Sequence, residues 1–244
     1  MTVIDAHTHV WLRRAENDRR ALLDCIESVP LKRLYVTGLD NHRPDEDTVV
    51  RINDAALELM RRDERVRGML YLNPRHEKQV SEEFHRCRDL GFVMVKLWQA
   101  TPADDRLNEP VYELCLEYGM PGLLHCFCPV RGATSDQNPP EAIASVARRR
   151  PELTVMLAHE GGDFIRGVEA VVGLPNVYVD FSGTYGERGM VDYAVEHLGA
   201  DHVIFGSDMP GSDIYHNLGK VYGANLTEDQ RDLVLWKNAE RVLP

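Results

Sequence analysis

The sequence lacks any apolar segment close to the roughly 20 residues that a membrane-spanning helix requires. Basic residues are also in deficit, because 28 Lys and Arg face 39 Asp and Glu and leave a formal net charge of -11. Such an acidic chain repels nucleic-acid backbones and anionic lipid surfaces. We therefore expect a small-molecule substrate, with neither nucleic acid nor a membrane as partner. A homo-oligomer is compatible with the sequence.

Cysteine is sparse and shows no disulfide framework. The chain has five, an odd number without a series of short spacings: Cys25, Cys87, Cys115, Cys126 and Cys128. We expect reduced thiols. No charged leader followed by an apolar stretch precedes the first predicted strand, so we expect a cytoplasmic protein. Cys126 and Cys128 could bind a soft metal, but we favour small buried apolar residues.

Segments with strand character alternate with amphipathic helical segments along the whole chain. Eight strands are predicted at Val3–Val10, Leu34–Leu39, Val66–Leu72, Phe92–Trp98, Pro121–Phe127, Leu153–Ala158, Val177–Phe181 and Val203–Asp208. Eight helices are predicted at Arg13–Val29, Thr48–Arg62, His76–Leu90, Asn108–Tyr118, Pro140–Arg150, Asp163–Val172, Met190–Leu198 and Thr227–Leu243. This alternation at about 250 residues is typical of a (β/α)8 TIM barrel. We predict an α/β fold with a single domain at residues 1–244.

A doubly wound open sheet is the competing architecture. Such a sheet more often carries a glycine-rich phosphate loop after its first strand. The residues found there are Val10-Trp11-Leu12-Arg13, which contain no glycine. The closed barrel is therefore the favoured fold.

The first strand carries two histidines one residue apart. Side chains alternate along a strand, so Asp5, His7 and His9 are predicted to share one face. The residues that alternate with them, Ile4, Ala6, Thr8 and Val10, would face the surrounding helices. Neutral imidazole is the commonest metal ligand among side chains, and two on one strand can bind the same ion. The alternative is a pair of buried, hydrogen-bonded histidines without a metal.

Further polar side chains lie at the carboxyl ends of later strands, where TIM barrels place catalytic groups. These are Lys96, His125, His159 and Asp208. Imidazoles with a carboxylate suit zinc, and manganese, iron or cobalt are also compatible. An ammonium would be repelled by such an ion, so Lys96 should be deprotonated, paired with Asp5 or Glu160, or carboxylated. The alternatives are core histidines and, for Asp208, a helix N-cap.

This series of motifs resembles the amidohydrolase superfamily. The matching residues are Asp5-Ala6-His7-Thr8-His9, Lys96, His125, His159-Glu160-Gly161-Gly162 and Phe205-Gly206-Ser207-Asp208-Met209-Pro210. The ending Lys237-Asn238-Ala239-Glu240-Arg241-Val242-Leu243 is similar to that of the branch with aminocarboxymuconate-semialdehyde decarboxylase. The resemblance implies a metal-dependent TIM-barrel enzyme in which His7, His9 and Asp208 bind a first metal ion.

The resemblance also implies two arrangements for the remaining residues. In binuclear members a carboxylated lysine, here Lys96, bridges to a second ion held by His125 and His159. In mononuclear members the histidine at the position of His125 joins the first ion, and the one at the position of His159 is catalytic. The sequence fits both arrangements, and Lys96 favours two ions.

A bound divalent ion would lower the pKa of a water ligand towards about 7. Asp208 could then act as general base and His159 could polarise a carbonyl, so we expect hydrolysis of a small amide, lactone or ester. The first alternative is a metal-dependent, non-oxidative decarboxylase of an aromatic or unsaturated carboxylic acid. The second is a non-catalytic binding barrel, which has no evident need for so complete a ligand set. Trp98 and Arg131 are predicted to contact the substrate, Arg131 through an anionic group.

Overall fold

The computed structural model describes residues 1–128, 137–183 and 186–244. Within these ranges eight parallel strands form one sheet in sequence order. They are β1 (Val3–Trp11), β2 (Leu31–Leu39), β3 (Val66–Tyr71), β4 (Met94–Leu97), β5 (Gly122–Leu124), β6 (Val155–Leu157), β7 (Val177–Asp180) and β8 (Val203–Ile204). The Ala6 amide donates to the Phe205 carbonyl, and the Asp208 amide to the His7 carbonyl, so the last strand joins the first. The predicted TIM barrel is confirmed.

The helices of the described ranges surround the sheet. They are α1 (Ala15–Ser28), α2 (Glu46–Met60), α3 (Glu77–Asp89), α4 (Glu109–Tyr118), α5 (Pro140–Arg149), α6 (Phe164–Val171), α7 (Met190–Leu198), α8 (Ile214–Gly223), α9 (Glu228–Asp232) and α10 (Asn238–Val242). A π-helical turn, Leu233–Lys237, joins the last two into one C-terminal helix. The sequence prediction missed α8, which begins at its N-cap Asp213. Glycines at positions 219 and 223 weaken its helical pattern.

Two apolar layers support the barrel. The larger layer lies between the sheet and the helices and includes the buried Leu34 and Val95. The smaller layer contains the neighbouring strand residues that point to the other face, among them Met69, Met94 and Met156. Burial of such a side chain stabilises the fold by about 1.5–3 kcal/mol. The carboxyl ends of the strands therefore stand on a packed interior.

A β-bulge interrupts the alternation of side chains along β1. From Asp5 to Thr8 this strand advances three residues while β2 advances two. Ile4 and Ala6 consequently pack among interior residues rather than beneath the helices. Asp5 points away from Ile4, and its carboxylate accepts the backbone N–H of His7. The predicted common face is therefore wrong for Asp5, because the bulge changes the alternation between it and the histidines.

Other sequence expectations concern membranes and thiols. No helix in the described part of the chain is long and apolar enough to cross a membrane. All five cysteines lie in the described ranges, and each of them is unpaired. Cys126 is fully buried, as expected for a small apolar residue, and Cys128 is partly exposed.

Candidate metal centre

Three of the predicted metal ligands come together at the carboxyl end of the barrel. One ligand atom each from His7, His159 and Asp208 lies within 4.8 Å of the other two. An ion with bonds of about 2.0–2.2 Å would hold any two ligand atoms within about 4.4 Å of each other. Small side-chain movements would therefore let one ion contact all three residues.

The second histidine of β1 is joined to the same carboxylate. Nε2 of His9 lies 3.0 Å from Oδ1 of Asp208, and the ring centroids of His9 and His7 are 4.8 Å apart. Nδ1 of His9 is buried and has no hydrogen-bond partner among the described residues. Buried polar atoms normally have partners, so this imidazole has the capacity to bind a further group.

Lys96 is fully buried on β4 and points at this cluster. Its Nζ lies 3.0 Å from Nε2 of His7. Burial lowers its pKa from 10.5 to about 8, although the negative charge of Asp180 opposes the change. The described residues show no pairing of Lys96 with Asp5 or Glu160, so that predicted interaction is not observed.

His125 lies beside the three-residue group and not within it. Its ring centroid is 5.3 Å from that of His159. Its Nε2 lies 3.0 Å from Nε2 of Gln99 and 2.9 Å from Oε1 of Gln137. Burial, and then the positive charge of His159, hold the pKa of His125 well below 6.5. This imidazole is therefore neutral at neutral pH and retains a lone pair for a metal or a hydrogen bond.

The sequence analysis missed two residues of the site, Asp180 and Ser182. Oδ2 of Asp180 lies 3.0 Å from Nδ1 of His7, and its Oδ1 accepts the backbone N–H of His159. Oγ of Ser182 lies 3.1 Å from Nδ1 of His7 and 2.9 Å from Nδ1 of His159. Alternation along β7 from the interior residue Tyr178 could have identified both residues.

The protonation states of this cluster favour metal binding. Burial, and then the charge of Lys96, lower the pKa of His7 to about 3. Burial also lowers the pKa of His9. Burial alone would raise the pKa of Asp208, but the hydrogen bond from His9 and the nearby imidazoles hold it well below its usual range. Neutral imidazole and ionised carboxylate are the forms that bind metal ions.

The backbone is strained where it presents two of these side chains. His159 has φ of 60° and Asp208 has φ of 61°. Residues other than glycine rarely adopt this left-handed backbone conformation, and those that do cluster at functional sites. The N-cap of the next helix is Asp213, so the alternative of Asp208 as a helix N-cap is wrong.

The two predicted substrate contacts stand differently. Trp98 is 9% exposed, and its ring centroid lies 5.5 Å from Trp11 and 4.6 Å from His42 in edge-to-face arrangements. The centroid of His125 is 6.4 Å from that of Trp98. An aromatic wall therefore lies beside the histidines. Arg131 falls outside the described residues.

Comparisons with known proteins agree with this architecture. A family model described as Amidohydrolase matches residues 4–244. A candidate amidohydrolase from Staphylococcus aureus has a TM-score of 0.77 at 14% identity, covering 100% of this chain and 99% of that chain. The 2,6-dihydroxybenzoate decarboxylase from Rhizobium has a TM-score of 0.74 at 18% identity, covering 99% of this chain and 97% of that chain. The dihydroxybenzoic acid decarboxylase from Polaromonas sp. JS666 has bound manganese and the inhibitor 2-nitroresorcinol. Its TM-score is 0.74 at 18% identity, covering 99% of this chain and 96% of that chain. No curated protein matches the chain.

Proposed function

Because the chain belongs to the amidohydrolase family, we propose that it is a metal-dependent, non-oxidative decarboxylase of an aromatic or unsaturated carboxylic acid. The convergence of His7 and Asp208, with His9 on the same carboxylate, carries the metal-dependent part of this proposal. The decarboxylases of similar fold support the reaction type. Our first expectation, hydrolysis of an amide, lactone or ester, is not confirmed, and it becomes the second candidate.

We propose His7, His9 and Asp208 as ligands of one divalent ion. The donor set fits such an ion, because the imidazoles are neutral, the carboxylate is ionised and Nε2 of His9 lies 3.0 Å from Oδ1 of Asp208. When bound, the ion would orient the substrate's oxygens and withdraw electron density from them. Manganese is bound in the Polaromonas protein, and zinc stays a prediction for this chain.

We propose His159 as the residue that supplies the proton. Decarboxylation breaks the bond between the ring carbon and the carboxyl carbon, and the ring carbon keeps the electron pair. The imidazolium of His159 would donate its Nε2 proton to that carbon as CO₂ leaves, and the neutral ring would regain a proton from water. Asp208 stays ionised and serves as a ligand and base rather than as this donor.

We propose Trp98 as a substrate contact because it presents an aromatic surface beside the histidines. A planar aromatic acid could pack its ring edge-to-face against this side chain. The predicted role of Arg131, an ion pair with an anionic group of the substrate, stays a prediction. Both contacts imply a small aromatic acid as partner.

The test is a paired assay of the metal-loaded protein. Hydroxybenzoates and related unsaturated acids are assayed for CO₂ release, and a panel of amides, lactones and esters for hydrolysis, with Mn²⁺ or Zn²⁺. We expect metal-dependent CO₂ release that His159→Gln abolishes while metal binding persists. The ionised Asp208 also suits general-base activation of water. Hydrolysis without CO₂ release would therefore support the second candidate and contradict the decarboxylase.

A further inference from the structure

We propose that Asp180 and Ser182 are positioning residues that fix His7 and His159 in the tautomer protonated at Nδ1. The consequence rests on the proposed function: Nε2 of His7 is then unprotonated and can bind the metal ion once Lys96 gives way, and Nε2 of His159 is the atom that exchanges a proton with the substrate. The hydrogen-bond partners of the two rings carry the inference.

Two groups on opposite edges determine the tautomer of His7. Its Nδ1 lies 3.0 Å from Oδ2 of Asp180, and an ionised carboxylate can only accept a hydrogen bond. Its Nε2 lies 3.0 Å from Nζ of Lys96, and an ammonium can only donate. Both contacts require the proton on Nδ1, so the lone pair of Nε2 points into the cluster.

Two oxygens of one residue determine the tautomer of His159. Its Nδ1 lies 3.2 Å from the backbone carbonyl oxygen of Ser182 and 2.9 Å from Oγ of that residue. A carbonyl oxygen can only accept, so Nδ1 carries the proton. The hydroxyl of Ser182 can then accept from His159 and donate its own proton to Asp180. This direction leaves Nε2 of His159 facing away from Ser182.

The carboxylate of Asp180 holds the arrangement together. Its Oδ1 accepts the backbone N–H groups of His159 and Ser182, each at 3.0 Å. Three N–H groups therefore point at this carboxylate, counting Nδ1–H of His7, and such hydrogen bonds favour its ionised form. Asp180 and His7 are fully buried, so water does not compete for these bonds.

The arrangement suits a histidine that must gain and lose a proton repeatedly. Loss of the Nε2 proton from the His159 imidazolium leaves the Nδ1–H and its bonds to Ser182 unchanged. The acidic and neutral forms thus share one set of partners, and proton transfer needs no side-chain rearrangement. Outer hydrogen bonds of this kind fix the tautomer and raise the basicity of metal-binding histidines elsewhere.

The first test measures the tautomers directly in metal-free protein. Long-range ¹H–¹⁵N spectra of ¹⁵N-histidine-labelled protein distinguish protonated from unprotonated ring nitrogens, and His7→Gln and His159→Gln assign the signals. We expect Nδ1 protonated and Nε2 unprotonated in both neutral rings. An Nε2–H tautomer for either ring in the wild-type protein would overturn the inference. This readout needs no substrate and is made on the wild-type protein, with the two variants used only for assignment.

The second test alters the partners. Lys96→Met removes the donor at Nε2 of His7, and in that background Asp180→Asn can donate its amide N–H to Nδ1. We therefore expect the double variant to show an Nε2–H tautomer and an affinity for Zn²⁺ that is about 10–100-fold lower than that of Lys96→Met alone. Ser182→Ala should shift the signals of both rings, because the lost hydroxyl contacts both Nδ1 atoms, and should leave Nδ1 of His7 protonated, because Asp180 still accepts there. The control is Ser212→Ala, which removes a hydroxyl bonded to the Gly183 carbonyl. It should change neither readout.

The outcomes separate this inference from the proposed function. If Asp180→Asn in the Lys96→Met background kept the tautomer and the Zn²⁺ affinity of Lys96→Met, the positioning role would be contradicted, whatever the enzyme catalyses. Nδ1–H tautomers in the wild-type protein, together with weaker Zn²⁺ binding after Asp180→Asn in that background, would support the positioning role even if no CO₂ is released. In that case the decarboxylase proposal alone would fail.

Discussion

Nζ of Lys96 lies 3.0 Å from Nε2 of His7, and both side chains are fully buried. The ammonium therefore donates to the same lone pair that would bind a metal ion. Metal binding at His7 and this hydrogen bond exclude each other. Lys96 must turn away, lose its proton or become an anion when the ion enters.

The number of bound ions tests how Lys96 responds. The proposed decarboxylase site holds one ion per chain, with or without bicarbonate, because His159 delivers protons and does not bind a second ion. Carboxylation of Lys96, the binuclear arrangement, predicts two ions that depend on bicarbonate. Elemental analysis of protein dialysed against Zn²⁺ counts them, and Lys96→Met is the control that cannot be carboxylated.

The pH dependence of stability tests the buried ammonium. The pKa of Lys96 is about 8 in the folded protein against 10.5 for the free side chain. Below pH 8 Lys96 is protonated in both the folded and the unfolded state, so the folded state carries the full cost of burying its charge. Between pH 8 and 10.5 Lys96 stays protonated only in the unfolded state, so the free energy of unfolding rises with pH. Lys96→Met should be more stable in metal-free protein by about 3 kcal/mol at pH 7. This gain should shrink towards pH 10.5 in urea unfolding, and a constant gain would contradict the assignment.

Gly206 lets the segment that follows β8 pass close to the site. A Cβ atom added there would lie 2.8 Å from Cβ of His7 and 3.4 Å from Cβ of Asp180. We expect Gly206→Ala to destabilise the fold by about 1–3 kcal/mol and to weaken Zn²⁺ binding, because it displaces His7.

The matched control for this substitution lies in α8. A Cβ atom added at Gly219 meets nothing within 4 Å. Gly219→Ala should therefore keep its affinity for Zn²⁺ and gain up to about 1 kcal/mol from helix propensity. Urea unfolding and zinc titration measure both variants. Equal zinc affinities for the two would show that the segment after β8 does not position His7.

Trp98 provides the test of the aromatic substrate. Replacing it with Leu removes an edge-to-face partner worth about 0.5–1.5 kcal/mol, so KM for an aromatic acid should rise about 10-fold at most. The value of kcat should change little, because Trp98 contacts no proposed ligand at bonding distance. Trp236→Leu is the control, since that ring packs against the smaller apolar layer. An unchanged KM in Trp98→Leu would remove Trp98 from the substrate site.

Local pattern alone determined the barrel and most of the candidate site. Burial imposes a period of two on strands and about 3.6 on helices, so each element can be read from a short window. The carboxyl ends of the strands in such a barrel meet at one face, and this rule predicts that His7, His159 and Asp208 come together.

Only the tertiary structure decided the register between strands and the hydrogen bonds between residues far apart in sequence. The bulge in β1 depends on its register against β2, and no single-strand pattern contains that register. Asp180 and His7 lie 173 residues apart in sequence, so their hydrogen bond exists only once the sheet has closed. The competition of Lys96 for Nε2 of His7 arises in the same way, since the strands that carry them are not adjacent in the sheet. Sequence periodicity encodes which side chains are buried; which buried polar groups become partners is fixed by the closed barrel.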